Sequence, residues 1–141
     1  MNPALLKELV FHHLGLAVKD DRPALTMLEG LGYTVGERLH DPLRNIYLRL
    51  CSSPSHPAIE IVQPGDEGRS PVDKIIAQHS ELIYHTCYET PDLSNTLSMM
   101  QKAGLRCIPL TERQPAVLFG GRLVSFYKIP GWGIIELLEP Q

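Results

Sequence analysis

The chain repeats itself once, and that repeat limits its folds more than any other feature of the sequence. The segment from His13 to Gly32 lies on the segment from His85 to Gly104 at one constant offset. His13 meets His85, Asp20 meets Asp92, and Gly32 meets Gly104. Between them Leu25, Leu28 and Leu31 meet Leu97, Met100 and Ala103. After four extra residues in the second half, Ile59-Glu60-Ile61-Val62-Gln63-Pro64 meets Ile135-Glu136-Leu137-Leu138-Glu139-Pro140. The matches keep their order and nearly their spacing, as two copies of one supersecondary unit do.

Each copy carries the same run of elements. Leu9–Val18 is rich in β-branched and apolar residues and reads as a strand. Asp20 or Asp21 then caps a helix, Pro23 suits its first turn, and Gly32 suits its stop. Leu25, Leu28 and Leu31, with Ala24, form its apolar stripe at helical spacing. Strands are expected at about Thr34–Leu39, Asn45–Cys51 and Ala58–Val62. The second copy is expected to give a strand at Leu82–Glu89 and a helix from about Pro91. Its remaining strands fall at Arg106–Leu110, Leu123–Tyr127 and Gly133–Leu138. Between the copies, PGDEGRSP is turn-rich and Val72–His79 reads as a short helix. The fold class expected is α+β, with paired βαβββ modules forming a cupped, mostly antiparallel sheet. One domain spans 1–141, with module one at about 8–64, a linker at 65–80 and module two at about 81–140.

Composition narrows the setting. Thirteen Lys+Arg against sixteen Asp+Glu give a net charge of −3, which supplies no field for nucleic acid. Cys51, Cys87 and Cys107 form no CxxC pair, so neither a disulfide framework nor a zinc ribbon fits, and all three read as buried small side chains. Lys7, Glu8, His12 and His13 interrupt the apolar start, which excludes a signal-peptide core and a membrane span there. A soluble, cytoplasmic protein is expected.

The repeat also selects four chemical residues. The two His fall at equivalent places on the first strand of each copy, the two Glu at equivalent places on the last. If those strands line a shared cavity, His13, Glu60, His85 and Glu136 form a ligand set suited to Zn, Ni, Co, Mn or Fe(II). Taken singly, each has a plainer explanation. A strand His is often a hydrogen-bonded structural side chain, and a Glu between two apolar residues is also the pattern of an exposed strand face. His12 is read as such a structural side chain, turned by strand alternation away from the face of His13. Glu37, His40, Asp41 and Arg44 crowd a second, turn-rich stretch, and Glu112, Arg113 and Gln114 precede a strand. No GxxxxGK[ST], GxGxxG or GxSxG occurs.

HHLGLAVKD, LIYHTCYETPDL and IELLE resemble the three metal strands of the vicinal oxygen chelate superfamily, the glyoxalase/bleomycin-resistance/dioxygenase group. Within it the chain is most similar to small methylmalonyl-CoA-epimerase-like proteins, whose linker IEIVQPGDEGRSPVDKII also resembles. The resemblance implies a homodimer with one divalent metal (Zn, Ni, Co or Mn) per site, held by His13, Glu60, His85 and Glu136. It implies an isomerase or epimerase working through a metal-chelated enediolate on an acyl-CoA, with Glu60 and Glu136 as catalytic carboxylates. Two departures from the epimerase pattern stand out. Such epimerases often carry Gln where Glu60 stands, whereas bacterial glyoxalase I typically has His, Glu, His, Glu. They also carry a base in the loop where this chain has Leu43, so Asp41, Glu37 or a metal-bound Glu must carry the proton, or the substrate differs. The alternatives are therefore a glyoxalase I-type lyase (lactoylglutathione lyase) acting on a glutathione hemithioacetal, or a metal-free ligand-binding resistance protein. An extradiol dioxygenase fits less well, because such enzymes usually carry extra modules.

Overall fold

A computed structural model describes residues 4–141. The elements run in the order β1 (Val10–Val18), α1 (Arg22–Gly30), β2 (Thr34–Val35), β3 (Leu39–Asp41), β4 (Ile46–Ser52), β5 (Ile59–Pro64), α2 (Asp73–His79), β6 (Glu81–Glu89), α3 (Leu93–Lys102), β7 (Ile108–Pro115), β8 (Leu123–Ile129) and β9 (Gly133–Leu138). The α+β class and the order of elements follow the sequence reading. Two compact units result: His13–Tyr84, and His85–Gln141 joined by the chain up to His12. Their boundaries coincide with the two histidines at which the sequence repeat begins.

In the first unit the strands lie in the order β2-β4-β5-β1, with β3 also on β4. Only β1 and β5 run parallel; β2, β3 and β5 are each antiparallel to β4. Val18, Leu28, Tyr33, Cys51 and Ile61 are buried together, with Leu16, Ala24, Leu25, Val35 and Ile59 packed on them. The stripe read from α1 is thus half right. Leu28 is buried and Leu25 is packed, but Leu31 is 44% exposed. The helix has stopped at that point, because Gly32 turns the chain at φ +90. At the other end Asp21 is the N-cap residue but makes no side-chain cap bond. Its carboxylate accepts from Arg49 Nε at 3.4 Å, and Asp20 takes the N–H of Arg22 at 3.1 Å.

The expected strand at Thr34–Leu39 is broken into β2 and β3. Gly36 lies so close to β4 that a Cβ there would stand 2.2 Å from the Leu50 carbonyl oxygen. Its own carbonyl accepts from Arg49 Nη1 at 3.1 Å.

The second unit repeats the plan: β6 runs parallel to β9, and β8 is antiparallel to both β9 and β7. On the helix side Met100, Tyr127, Ile129, Ile135 and Leu137 are buried. Met100 stands where Leu28 stands in the first copy and is likewise nearly inaccessible, at 1%. The other face buries Cys87, Ala116, Val124 and Leu138, with Phe119 and Phe126 against them. Asp92 caps α3 by accepting from Asn95 N–H at 3.1 Å. The strand expected at Arg106–Leu110 starts later and extends to Pro115, through register shifts between Pro109 and Thr111 and between Thr111 and Gln114. Arg113 takes a left-handed backbone there (φ 46), and its N–H donates to Ser125 Oγ at 2.9 Å. The connector helix forms as expected, its start fixed by Ser70 donating through N–H and Oγ to Asp73. Among the described residues no helix is long and apolar enough to cross a membrane.

Candidate active site

Strand pairing places the selected residues in the same way in both units. In the first, Glu60 lies abreast of Gly15 on the parallel neighbour β1, two residues on from His13. Strand alternation puts His13 and Gly15 on one face, and Gly15 has no side chain to fill the space between. Glu60 Oε1 stands 3.6 Å from His13 Nε2, and both side chains are almost fully buried. In the second unit Glu136 lies abreast of Cys87, two residues on from His85. Its Oε1 stands 3.1 Å from His85 Nε2, again with both side chains buried. The register is the same, and Cys87 is the repeat partner of Gly15.

An apolar residue stands opposite each carboxylate. Glu60 faces Leu50 across β4 and β5, and Glu136 faces Phe126 across β8 and β9. Phe126 presents its ring edge-on to His85 at 5.3 Å and 88°. Burying a carboxylate among such groups is costly unless a cation or hydrogen bonds balance it. Each pair also has the spacing of two donors on one ion. Donors about 2.1 Å from a cation stand about 3.0 Å apart at a right angle and about 3.4 Å apart in a tetrahedron. The distances of 3.1 and 3.6 Å lie close to these limits. Imidazole and carboxylate donors suit a divalent metal of borderline hardness.

The remaining sequence candidates separate by their partners. Asp41 is 3% exposed, and its Oδ2 accepts from Arg44 Nη1 at 2.7 Å. Its Oδ1 accepts the N–H of Leu43 at 3.0 Å, so this carboxylate is committed to holding its own turn. Leu43 is 58% exposed and Glu37 is also exposed. Arg113, 60% exposed along its side chain, is engaged by Glu139 through Nε at 3.0 Å. His12 packs its ring edge-on against Phe119 at 4.9 Å. Burial pushes the Cys51 and Cys107 thiols up, away from the thiolate a nucleophile needs. The apolar neighbours, Leu50 in one unit and Phe126 in the other, were not read from the sequence. Their signal would have been the antiparallel neighbour of each Glu strand, which needs a register that the sequence leaves open.

The sequence model of the glyoxalase/bleomycin resistance protein/dioxygenase superfamily matches residues 12–126, most of the chain. The chain belongs to that superfamily. Solved structures agree on the fold. Methylmalonyl-CoA epimerase from Mycobacterium tuberculosis is 23% identical at a TM-score of 0.75, over 100% of this chain and 93% of that one. A hypothetical protein from Bacillus halodurans C-125 is 19% identical at 0.75, over 94% and 95%. Streptomyces coelicolor methylmalonyl-CoA epimerase in complex with 2-nitronate-propionyl-CoA is 18% identical at 0.71, over 93% and 97%. No curated protein matches the chain. At these identities the similarity of this superfamily member to the epimerases is one of fold.

Proposed function

We propose that the two His–Glu pairs hold one divalent metal between them and that the protein is an isomerase or epimerase of the methylmalonyl-CoA epimerase kind, working through an enediolate. The observation that carries this reading is the repeated register: each copy of the duplicated unit buries one imidazole and one carboxylate 3.1–3.6 Å apart. His13, Glu60, His85 and Glu136 would be the ligands. A bound divalent ion supplies stabilisation for the negative charge that develops on oxygen when a proton α to a carbonyl is removed. The side chains do the rest. His13 and His85 orient the site, and the apolar residues beside the carboxylates exclude water and strengthen charge interactions there. Glu60 and Glu136, one from each copy, take and return the proton. An epimerase needs proton transfer on two faces of the same carbon, and two repeat-related carboxylates supply one acceptor for each. Asp41 is tied to Arg44 and serves neither role.

Retention of Glu at position 60 favours a second reading, the glyoxalase I-type lyase with a glutathione hemithioacetal, which shares the enediolate. In either case the substrate is a small thioester-related molecule. The rest of the reading is a single-domain, cytoplasmic homodimer. The deciding experiment is elemental analysis of purified protein with H13A and H85A alongside. About one transition metal per chain, lost in both variants, supports the reading. Turnover of methylmalonyl-CoA against that of methylglyoxal plus glutathione then separates the two substrates. Protein that stays metal-free after attempted reloading overturns the enediolate mechanism and leaves the ligand-binding alternative.

A further inference from the structure

The outer face of the first unit carries an arginine that is exposed yet held still. Arg38 lies with Cζ 3.7 Å from the centroid of the Tyr47 ring. Its Nε donates to Gln63 Oε1 at 3.2 Å, and Gln63 in turn donates through Nε2 to the Lys19 carbonyl at 3.1 Å. Tyr47 is itself fixed, its hydroxyl donating to Asp66 Oδ2 at 2.6 Å. His40, opposite Tyr47 in the β3–β4 ladder, stacks on the same ring at 4.9 Å and 35°.

Each contact removes a freedom that a surface arginine normally keeps. Ring stacking fixes the plane of the guanidinium, and the bond to Gln63 fixes its rotation. Nε is the donor given to Gln63, which leaves the donors of Nη1 and Nη2 for another acceptor. A guanidinium already fixed in this way loses little side-chain entropy when it receives a planar or tetrahedral oxyanion at two points. His40, exposed and stacked on the same ring, carries a further N–H. Asp66 beside the ring is occupied by the tyrosine hydroxyl.

This cluster is separate from the candidate metal ligands. Tyr47 pairs with Gln63, whereas Glu60 pairs with Leu50, three residues further along β4. An odd number of residues along a strand reverses the face, so Tyr47 and Gln63 look to the side opposite Glu60.

We propose that Arg38 and His40, clamped on Tyr47, form a phosphate-binding site on the outer face of the first unit, one that takes the phosphoryl group of a small-molecule ligand. The test is a titration of the full chain with inorganic phosphate at fixed ionic strength, following the Arg38 Nε–H signal by ¹H–¹⁵N NMR. Wild type is expected to give a saturable shift that chloride at the same ionic strength does not give. R38K keeps the charge but loses the planar fork; followed through the backbone N–H of His40, its affinity is expected to fall at least 10-fold. Y47L removes the clamp and should fall similarly. H85A is expected to bind phosphate as wild type does, so failure of the metal reading leaves this result untouched. A shift that chloride reproduces, or R38K affinity within 2-fold of wild type, overturns the proposal.

Discussion

Replacing Asp41 by Asn tests the division of labour among the carboxylates, because the change keeps shape and removes charge. In the native turn Asp41 is 4% exposed along its side chain and Arg44 only 11%, with Nη1 and Oδ2 2.7 Å apart. The asparagine oxygen can still accept the Leu43 N–H, so that bond survives. What disappears is a charge-assisted hydrogen bond and the negative charge facing a largely buried guanidinium. Breaking such a pair costs about 3–5 kcal/mol, and the surviving acceptor puts D41N at the lower end, about 3 kcal/mol. D41A also leaves the Leu43 N–H without its acceptor and should cost about 1 kcal/mol more. For a chain of this length 3 kcal/mol lowers Tm by about 10 °C. Urea denaturation and calorimetry measure the loss. Activity per folded molecule, assayed well below the lowered midpoint, should stay within about 3-fold of wild type, since the proposed mechanism gives Asp41 no proton to move. Two results refute the reasoning: a stability change below about 1 kcal/mol, or a well-folded D41N that has lost turnover by orders of magnitude.

Two further outcomes follow from packing and charge. M100A opens a hole beneath α3, where the side chain is 1% exposed, and should cost about 2–5 kcal/mol in urea denaturation. L31A, at a position 44% exposed, should change stability by no more than about 0.5 kcal/mol, although both positions belong to the same repeated stripe. Asp20 should titrate at about 2, held down first by the side-chain hydrogen bond from Arg22. Because the folded value is depressed, its contribution is present above the ordinary value of 3.8 and is lost as pH falls through about 2. Carbonyl NMR should find the midpoint there and find it moving back toward 3.8 in R22A.

The plan of the fold was legible because duplication supplies an internal control. A Glu between two apolar residues is ambiguous once, but the pair of IEIVQP and IELLEP marked both last strands and set their Glu residues at equivalent places. Leu25 and Leu28 kept to helical periodicity because α1 packs one side on the sheet. Leu31 did not, because it is the C-cap residue, from which Gly32 turns the chain out of the helix. The break between β2 and β3 was invisible, since it comes from the approach of Gly36 to the Leu50 carbonyl, a contact fourteen residues away in sequence. The extent of β7 was missed for a related reason. Pro109 and Pro115 argue against a strand locally, and the bulges that admit them exist only against β8. At the candidate site the four side chains were legible and their apolar neighbours were not, because neighbours depend on register.

The irregular course of β7 also has a bearing on how the protein behaves at high concentration. Among the described residues of its unit this strand pairs only with β8, so its other side is a margin where a foreign strand could attach. Two bulges, two prolines, Glu112 and Arg113 deny that margin a continuous row of donors and acceptors. The distortion that hid the strand in the sequence thus makes it a poor template for aggregation, and straightening it would trade local strain for stickiness.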